Sequence, residues 1–154
     1  MPRIYVKQLR VGEDAIDGHG HVNNQEYLRW MEEIAIEHTT AQGWPMERYL
    51  TGGISWYVRS HFIEYLRPAL LGDEIAIYTW VAAMTERDSP RRTLFLRNAK
   101  RRQILARAET LWTFVDIQRG RSIPIPDEVR SAFEIVESED EVLREAGRMP
   151  DETG

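Results

Sequence analysis

The sequence predicts an α+β fold in which one long helix covers a single antiparallel sheet. The longest helical pattern runs from Asn24 to Gln42, where apolar residues recur three and four positions apart. The segments that follow it alternate with the period of two that is typical of strands. One strand, one long helix and then four strands in succession is not the alternating order of a parallel sheet.

The first strand is predicted over Ile4–Val11, and a loop over Gly12–Gly20 connects it to the helix. The helix is expected to end at Gly43, because Pro45 follows and the chain cannot easily continue as a helix. The strand residues expected to face inward are Ile4, Val6 and Leu9. The apolar stripe of the helix consists of Tyr27, Met31, Ile34, Ala35, His38 and Ala41.

Four further strands are predicted as a meander, with the sheet lying against the helix. They span Ile54–Leu66, Glu74–Met84, Arg91–Lys100 and Ile104–Ile117. The last two are joined by a short turn at Arg101, Arg102 and Gln103. In the last strand one face is formed by Ala106, Ala108, Thr110, Trp112 and Phe114. The chain then continues as an extended segment, Arg121–Pro126, and a short helix that ends at Phe133.

The chain of 154 residues is expected to form one domain, at residues 1–133, followed by an acidic C-terminal extension at residues 134–154. Hydrophobic residues make up 42% and charged residues 29%, which is typical of a globular protein. Cysteine is absent, which excludes disulfides, thiolate metal ligands and a cysteine nucleophile. No apolar run is long enough for a signal peptide or a membrane span, so we expect a cytoplasmic protein without a membrane partner.

The charge is unevenly distributed along the chain. The net charge of −5 disfavours nucleic acid as a partner. Between Glu86 and Arg107 there are eight Lys and Arg residues against two acids, whereas Glu134–Gly154 holds eight acids against two arginines. The basic segment predicts either a local anion site or a solvated strand face. The acidic segment predicts a surface helix with a frayed tail.

The segment DGHGHVNNQEY, from Asp17 to Tyr27, places a carboxylate, two histidines and two asparagines just before the long helix. Glycine next to Asp17 allows a substrate to approach the backbone closely. Backbone N–H groups at the start of a helix favour negative charge, so a carboxylate and an anion site lie close together in the sequence. Asn23 is the expected N-cap, and Glu26 three residues later indicates an approximate capping box.

Three segments of the chain resemble hotdog-fold acyl-CoA thioesterases, and most of all the 4-hydroxybenzoyl-CoA thioesterase-like family. The segment DGHGHVNN with Tyr27 resembles the active-site segment of that family. The segment FIEYLRPA, followed by LGDE, resembles the end of its second strand and the next turn. The segment AETLWTFVD, followed by Gly120-Arg121 and PIP, resembles its final strand and exit. Together these segments cover roughly residues 4–133.

The resemblance implies a hotdog fold, in which about five antiparallel strands wrap a long central helix. It also implies a homodimer with the active site at the interface, assembled further into a dimer of dimers, that is, a homotetramer. The implied substrate is an acyl-CoA or acyl-carrier-protein thioester, which is hydrolysed to a free acid and a thiol. No cofactor and no metal are expected.

Thioester hydrolysis needs water or a nucleophile at the carbonyl, and donors for the developing oxyanion. A carboxylate can serve as nucleophile or general base, and the resemblance assigns the catalytic role to Asp17. It assigns the carbonyl-polarising backbone N–H to Asn24. His21 is a further catalytic candidate, because it can orient the water, bind Asp17 or stiffen the loop. Asn23 is another, with helix capping as its alternative role.

Several alternatives stay open. His19 and His21 form an H-x-H pair that fits two metal ligands, although a metal site normally has three or four. Hotdog hydratases share the fold, but their His follows the Asp at a spacing of five, whereas His21 follows Asp17 at four. A hotdog domain that binds acyl-CoA without catalysis is the third alternative. Some hotdog thioesterases use a glutamate of the helix in place of the aspartate. This helix carries Glu32, Glu33 and Glu37, and the simpler interpretation is that all three are solvated surface charges.

Substrate binding is assigned to two groups of residues. The helix face with Tyr27, Trp30 and Met31 is expected to shape the acyl pocket, although large aromatic residues are also common in cores. The nucleotide end of CoA carries phosphates, which arginine can contact with two parallel hydrogen bonds. The candidates for this contact are Arg59, Arg91 and Arg92. The sequence leaves the acyl group itself open.

Overall fold

The computed structural model of the protein describes residues 3–98 and 103–147. Most of the turn predicted around Arg101 and Arg102 therefore lies outside the described residues, as do residues 148–154 of the acidic extension. The elements are β1 (Ile4–Arg10), α1 (Asn24–Ala41), α2 (Met46–Thr51), β2 (Ile54–Tyr65), β3 (Glu74–Val81), β4 (Asp88–Arg97), β5 (Ile104–Asp116), β6 (Arg121–Ser122), α3 (Asp127–Arg130) and α4 (Glu139–Glu145). None of the helices in these ranges is long and apolar enough to cross a membrane.

The strands form one antiparallel sheet in the order β1-β3-β4-β5-β2, and β6 pairs with the end of β5. This confirms the predicted α+β architecture of a long helix against an antiparallel sheet. The predicted meander is wrong at β2, which pairs with β5 at the far edge of the sheet and not with β3. The element bounds also differ from the prediction in detail. β3 ends at Val81 rather than Met84, and β4 begins at Asp88 rather than Arg91. The short helix α2 was not predicted.

The inner face of the sheet packs against α1. Tyr27, Met31 and Ile34 lie in one buried cluster with residues of the three central strands, β3, β4 and β5, among them Ile77 and Phe95. The predicted apolar stripe of the helix is buried with one exception, although Ala35 and His38 lie outside this cluster. Ala41 is exposed, because it lies at the end of α1, where the helix leaves the sheet.

The predicted inward set of β1 is wrong at Val6, which is 41% exposed. Side chains of a strand alternate between the two faces, and the residues that pack against the helix side are Tyr5 and Leu9. Ile4 is buried on the opposite, outer face of the sheet. Because β1 lies at the edge of the sheet, the outward side chain of Val6 is flanked by a neighbouring strand on one side only.

The outer face of the sheet is covered by the chain's own C-terminal segment. Val136, Val142, Leu143 and Ala146 are buried against Tyr78, Trp80, Leu94 and Leu96. Ion pairs hold the same segment at its polar side: Arg107 donates to both carboxylate oxygens of Glu139, at 3.2 and 3.1 Å, and Arg3 pairs with Glu141 and Glu145. The acidic segment predicted as a surface helix is therefore an amphipathic strap over residues 134–147 with a buried inner side.

Candidate active site

The loop before α1 is organised around the carboxylate of Asp17. Asp17 Oδ1 accepts hydrogen bonds from the backbone N–H groups of His19, at 2.8 Å, and His21, at 3.2 Å. The backbone N–H of Asp17 in turn donates to the carbonyl of His21, at 2.7 Å. Gly20 closes this turn with a φ of 80°, a conformation that residues with a side chain rarely adopt. The glycines predicted to matter for substrate access therefore also build the turn.

These contacts leave one carboxylate oxygen unused. Asp17 Oδ2 accepts no hydrogen bond from the described residues, and the side chain is partly exposed. The backbone N–H of His19, followed by that of His21, lowers the pKa of Asp17 below its ordinary value of 3.8. Hydrogen bonds to the charged form stabilise it. Asp17 is therefore held as a carboxylate in which Oδ1 is bound by two backbone N–H groups and Oδ2 is without a described donor.

The start of α1 has the cap predicted from the sequence. Asn23 Oδ1 accepts from the backbone N–H of Gln25 at 2.9 Å, and the carbonyl of Asn23 accepts from that of Glu26 at 2.9 Å. The capping box is only half formed, because the Glu26 carboxylate pairs with Arg29 instead of returning to Asn23. The backbone N–H of Asn24, the first helical residue, has no acceptor among the described residues, as expected for the first turn of a helix.

The two histidines of the loop are exposed. The contact between His21 and Asp17 comes from the backbone N–H, and no hydrogen bond joins the two side chains. Within residues 3–98 and 103–147, no group of three or more His, Asp or Glu side chains is placed to hold a metal ion. The backbone of His21 forms an antiparallel bridge with Leu70, so the loop is tied to the segment that follows β2.

A polar cluster around Arg97 supports that segment, and sequence reasoning missed it. Arg97 Nη2 donates to the carbonyl of Pro68 at 2.7 Å, and its guanidinium pairs with Asp73 at 3.1 Å. Asp73 Oδ2 also accepts from the backbone N–H of Leu70 at 2.8 Å. The cluster therefore fixes the backbone against which the loop around His21 is paired. The only sequence signal was the turn LGDE, which the resemblance had singled out.

The three helix residues predicted to shape the acyl pocket lie in the core instead. Tyr27, Trp30 and Met31 are buried, and the Tyr27 ring packs edge-on against Phe95 with centroids 5.0 Å apart. Burial raises the pKa of Tyr27 to about 12. Their side chains belong to the cluster between α1 and the sheet. These residues hold α1 against the sheet and do not line the cavity described next, and their part in shaping an acyl pocket stays a prediction.

A cavity of about 150 Å³ lies farther along α1. Its exposed residues are Glu32, Ile36 and Met46, which mark the mouth. Its buried residues are Ala35, Thr39, Tyr49, Ser55, Val81, Ser89, Arg91 and Phe133, and the partly buried Trp56, Met84 and Trp112 complete the wall. Glu32 is thus the one of the three helix glutamates that faces this cavity. Glu33 pairs with Arg29, and Glu37 with Lys7.

The three arginines predicted to bind phosphate lie in three different places. Arg59 is exposed on β2 and contacts Asp88 at 3.4 Å, and Arg92 is exposed on the outer face and contacts Glu109 at 3.3 Å. Arg91, next to Arg92 in β4, points to the inner face and is buried. Its Nη1 donates to His38 Nδ1 at 2.8 Å. The guanidinium of Arg91 therefore lies in the cavity wall and not on the exposed surface, and its contact with a phosphate of CoA stays a prediction.

The fold is that of solved thioesterases. A variant of 4-hydroxybenzoyl-CoA thioesterase, in complex with 4-hydroxybenzoyl-CoA, superposes with a TM-score of 0.79 over 86% of this chain and 100% of that one, at 19% identity. The 1,4-dihydroxy-2-naphthoyl-CoA thioesterase from Synechocystis superposes with a TM-score of 0.76 over 84% and 94% of the two chains, at 17% identity. The predicted hotdog fold is thereby confirmed.

Sequence comparison gives the same class. The chain is 25% identical over 113 residues to the chloroplastic palmitoyl-acyl carrier protein thioesterase of Cuphea hookeriana. This match covers 70% of the present chain, which spans 27% of that relative's length. Residues 11–133 match the thioesterase-like superfamily, and the chain belongs to this family. The enzyme class predicted from the sequence, a thioester hydrolase, is confirmed at the level of the family.

Proposed function

We propose that the protein hydrolyses acyl thioesters of CoA or of acyl carrier protein and releases a free acid and a thiol. One observation carries this proposal. The junction between loop and helix presents a partly exposed carboxylate oxygen on Asp17 together with the unbonded N–H of Asn24. A nucleophile or base and a donor for the oxyanion are the two groups that thioester cleavage needs.

In the proposed reaction the thioester oxygen lies at the N–H of Asn24, where the start of α1 favours negative charge. Asp17 Oδ2 then either attacks the carbonyl carbon or removes a proton from the water that attacks it. As the C–S bond breaks, the thiolate leaves and is protonated by solvent. In the first route water hydrolyses the resulting mixed anhydride, which restores Asp17.

Asp17→Asn tests the role of the carboxylate. The asparagine side-chain oxygen can still accept from the N–H groups of His19 and His21, so the turn is expected to persist. Thiol release from a panel of acyl-CoA and acyl-carrier-protein thioesters should be readily measured for the natural protein and reduced at least a hundredfold in the variant. Unchanged hydrolysis in a folded Asp17→Asn protein rules out the proposed role. A protein that binds acyl-CoA but cleaves none of the panel is a binding protein.

Turnover in heavy-oxygen water distinguishes the two routes. If an anhydride forms, water can attack it at the Asp17 carbonyl, and the label then appears in the peptide that contains Asp17. If Asp17 acts as a general base, or if water attacks the anhydride only at the substrate carbonyl, the label enters the product acid alone, so label in Asp17 is the result that identifies the anhydride route. Mass spectrometry of the digested protein after many turnovers reads both outcomes.

We propose further that two copies pair along β2. This strand has 12 residues, lies at the edge of the sheet and carries Phe62, which is 65% exposed. A long exposed edge strand normally needs a partner or a cover. A dimer of dimers would have to use a surface other than the strapped part of the outer face. Analytical ultracentrifugation measures the mass, and a monomer at micromolar concentration contradicts the pairing.

Arg59 and Arg92 stay as the proposed contacts for the phosphates of CoA, since both are exposed and their ion pairs are of the kind that contributes little to stability. Replacing either by Ala should raise KM for an acyl-CoA with little change in kcat. The same variant should have less effect on the pantetheine thioester of the same acid, which lacks the nucleotide. Equal effects on both substrates contradict a phosphate contact.

A further inference from the structure

The cavity beside α1 combines apolar walls with a buried positive charge. Phe133 and Val81 are among the buried apolar residues that line it, and Arg91 is buried in the same wall. A buried arginine is costly unless it is paired with a charge or fully hydrogen-bonded. The contacts of Arg91 therefore determine what kind of molecule the cavity can accept.

Arg91 has no acidic partner in the described part of the chain, where no carboxylate lies within ion-pair distance of it. Its hydrogen bonds all come from Nη1, to His38 Nδ1 at 2.8 Å and to Thr79 Oγ1 at 3.4 Å. Nε and Nη2 donate to no described group. Burial lowers the pKa of the Arg91 guanidinium to about 10, so the side chain still carries its charge at neutral pH.

A second donor in the cavity wall is also unused. Trp112 lines the cavity, and its indole Nε1 is buried without an acceptor among the described residues. Trp112 pairs with Ser89 across β4 and β5, and Arg91 pairs with Thr110, so the two donor side chains extend to the same face from neighbouring strands. The two serine hydroxyls of the wall accept from neither donor: Ser89 Oγ donates to the carbonyl of Ala83, and Ser55 Oγ to that of Trp56.

We propose that this cavity is an acyl-binding subsite selective for chains that end in a carboxylate, and that Arg91 and Trp112 recognise that carboxylate. The inference rests on the proposed thioester hydrolysis and names its substrate class, the monothioesters of dicarboxylic acids. The apolar walls fit the methylene chain. A carboxylate supplies both the negative charge and the acceptors that the donors in the wall lack. The acidic residue of the cavity, Glu32, lies exposed at the mouth, where water screens its charge.

The distance along α1 decides which chain lengths belong in the test. Glu32 and Thr39 follow Asn24 by eight and fifteen residues, which corresponds to about 12 and 22 Å along the helix axis. A chain that runs from the start of α1 to this cavity in the same protomer must therefore be long. If a second copy of the protein holds the thioester, a shorter acyl chain can reach the cavity. Short, medium and long acyl chains are therefore compared.

The test uses three CoA thioesters at each chain length. One is the monothioester of a dicarboxylic acid, and the other two have an alkyl end or a terminal hydroxyl in place of the carboxylate. At the best length we expect kcat/KM to be at least tenfold higher for the terminal carboxylate than for either of the others. Equal values for the carboxylate and alkyl chains overturn the inference. A preference for the hydroxyl chain overturns it too.

Two variants test the recognising groups. Trp112→Phe keeps the ring and removes the N–H, and it should reduce the preference for the terminal carboxylate several-fold. Arg91→Met should abolish the preference, measured as the ratio of kcat/KM for the carboxylate-ended and the alkyl-ended thioester. Arg119→Met is the matched control, because it removes an exposed charge whose only ion pair is with Asp116 at 3.8 Å. Its preference should equal that of the natural protein.

Binding to the Asp17→Asn protein separates failure of this inference from failure of the proposed function. Calorimetry measures the Kd of the carboxylate-ended and alkyl-ended CoA thioesters without turnover. A tighter Kd for the carboxylate chain that is lost in Asp17→Asn/Trp112→Phe supports the subsite even if Asp17 is not catalytic. Equal Kd values, together with efficient hydrolysis of alkyl thioesters by the natural protein, reject the subsite and keep the hydrolase.

Discussion

Asn24→Pro is the sharpest test of the oxyanion site, because it removes one N–H and little else. Proline is favoured at the first position of a helix, where the missing N–H has no intrahelical partner and φ is already suitable. The preceding residue must be extended, and Asn23 is, with φ −61° and ψ 133°. The cap bonds to Gln25 and Glu26 do not involve the N–H of Asn24. The variant is therefore expected to fold.

The magnitude follows from what the N–H does. Loss of one oxyanion donor typically lowers kcat by a factor of about 100–1000, or roughly 3–4 kcal/mol of barrier. Stability should change by less than about 1 kcal/mol, because no hydrogen bond within the described residues is lost. Asn24→Ala is the matched control: it removes the amide side chain and keeps the N–H, so its kcat should stay within a few-fold of the natural value.

The assay is thiol release at saturating substrate, with thermal unfolding followed on the same samples. The expected pattern is a large loss of kcat in Asn24→Pro, little loss in Asn24→Ala and similar melting temperatures in both. If folded Asn24→Pro retains the activity of Asn24→Ala, the N–H of Asn24 is not the oxyanion donor and the proposed geometry is wrong. A collapse of stability in Asn24→Pro alone contradicts the cap as described.

Three further predictions concern the strap, the loop support and pH. Leu143→Ala should lower the free energy of unfolding by about 2–5 kcal/mol, and Tm by roughly 2–4 °C for each kcal/mol. Leu50→Ala, at an exposed helical position, should change that free energy by no more than about 0.5 kcal/mol. Equal effects of the two variants in urea unfolding refute the packed strap. Asp73→Ala removes the ion-pair partner of Arg97 and the acceptor of the Leu70 N–H, and should lower both kcat and, by about 1–3 kcal/mol, stability, so unchanged kinetics argue against loop support. Because the pKa of Asp17 is lowered, the acid limb of kcat/KM should have an apparent pKa below 3.8, and an apparent pKa above that value in a folded enzyme contradicts the assignment.

Features set by neighbouring residues could be predicted from the sequence. The N-cap at Asn23, the start of α1 and the turn at Gly20 each depend on contacts within a few positions, and the structure contains all three. Asp17 lies only a few residues before the start of the helix, so its position there could be predicted for the same reason. The part of the cap that failed shows the limit, because Glu26 had a competing partner one turn away, Arg29.

Features set by the pleat and by distant packing could not be predicted. Arg91 and Arg92 are adjacent and belong to one basic segment, but neighbouring side chains of a strand point to opposite faces of the sheet. One is buried beside His38 and the other is exposed beside Glu109. A one-residue error in register exchanges these two environments. The surface that residues 134–147 cover was not predicted for a related reason. The pattern of a short amphipathic helix shows that one side is apolar, but not which part of the protein that side packs against.

This division between local and distant contacts has a functional consequence. The proposed chemical step uses Asp17 and the N–H of Asn24, which are positioned within one continuous stretch of chain. Acyl selection is proposed to use Arg91 and Trp112, whose placement depends on the pairing of β4 with β5 and on α1. Substitutions around the cavity can therefore change the preferred acyl group without disturbing the catalytic turn.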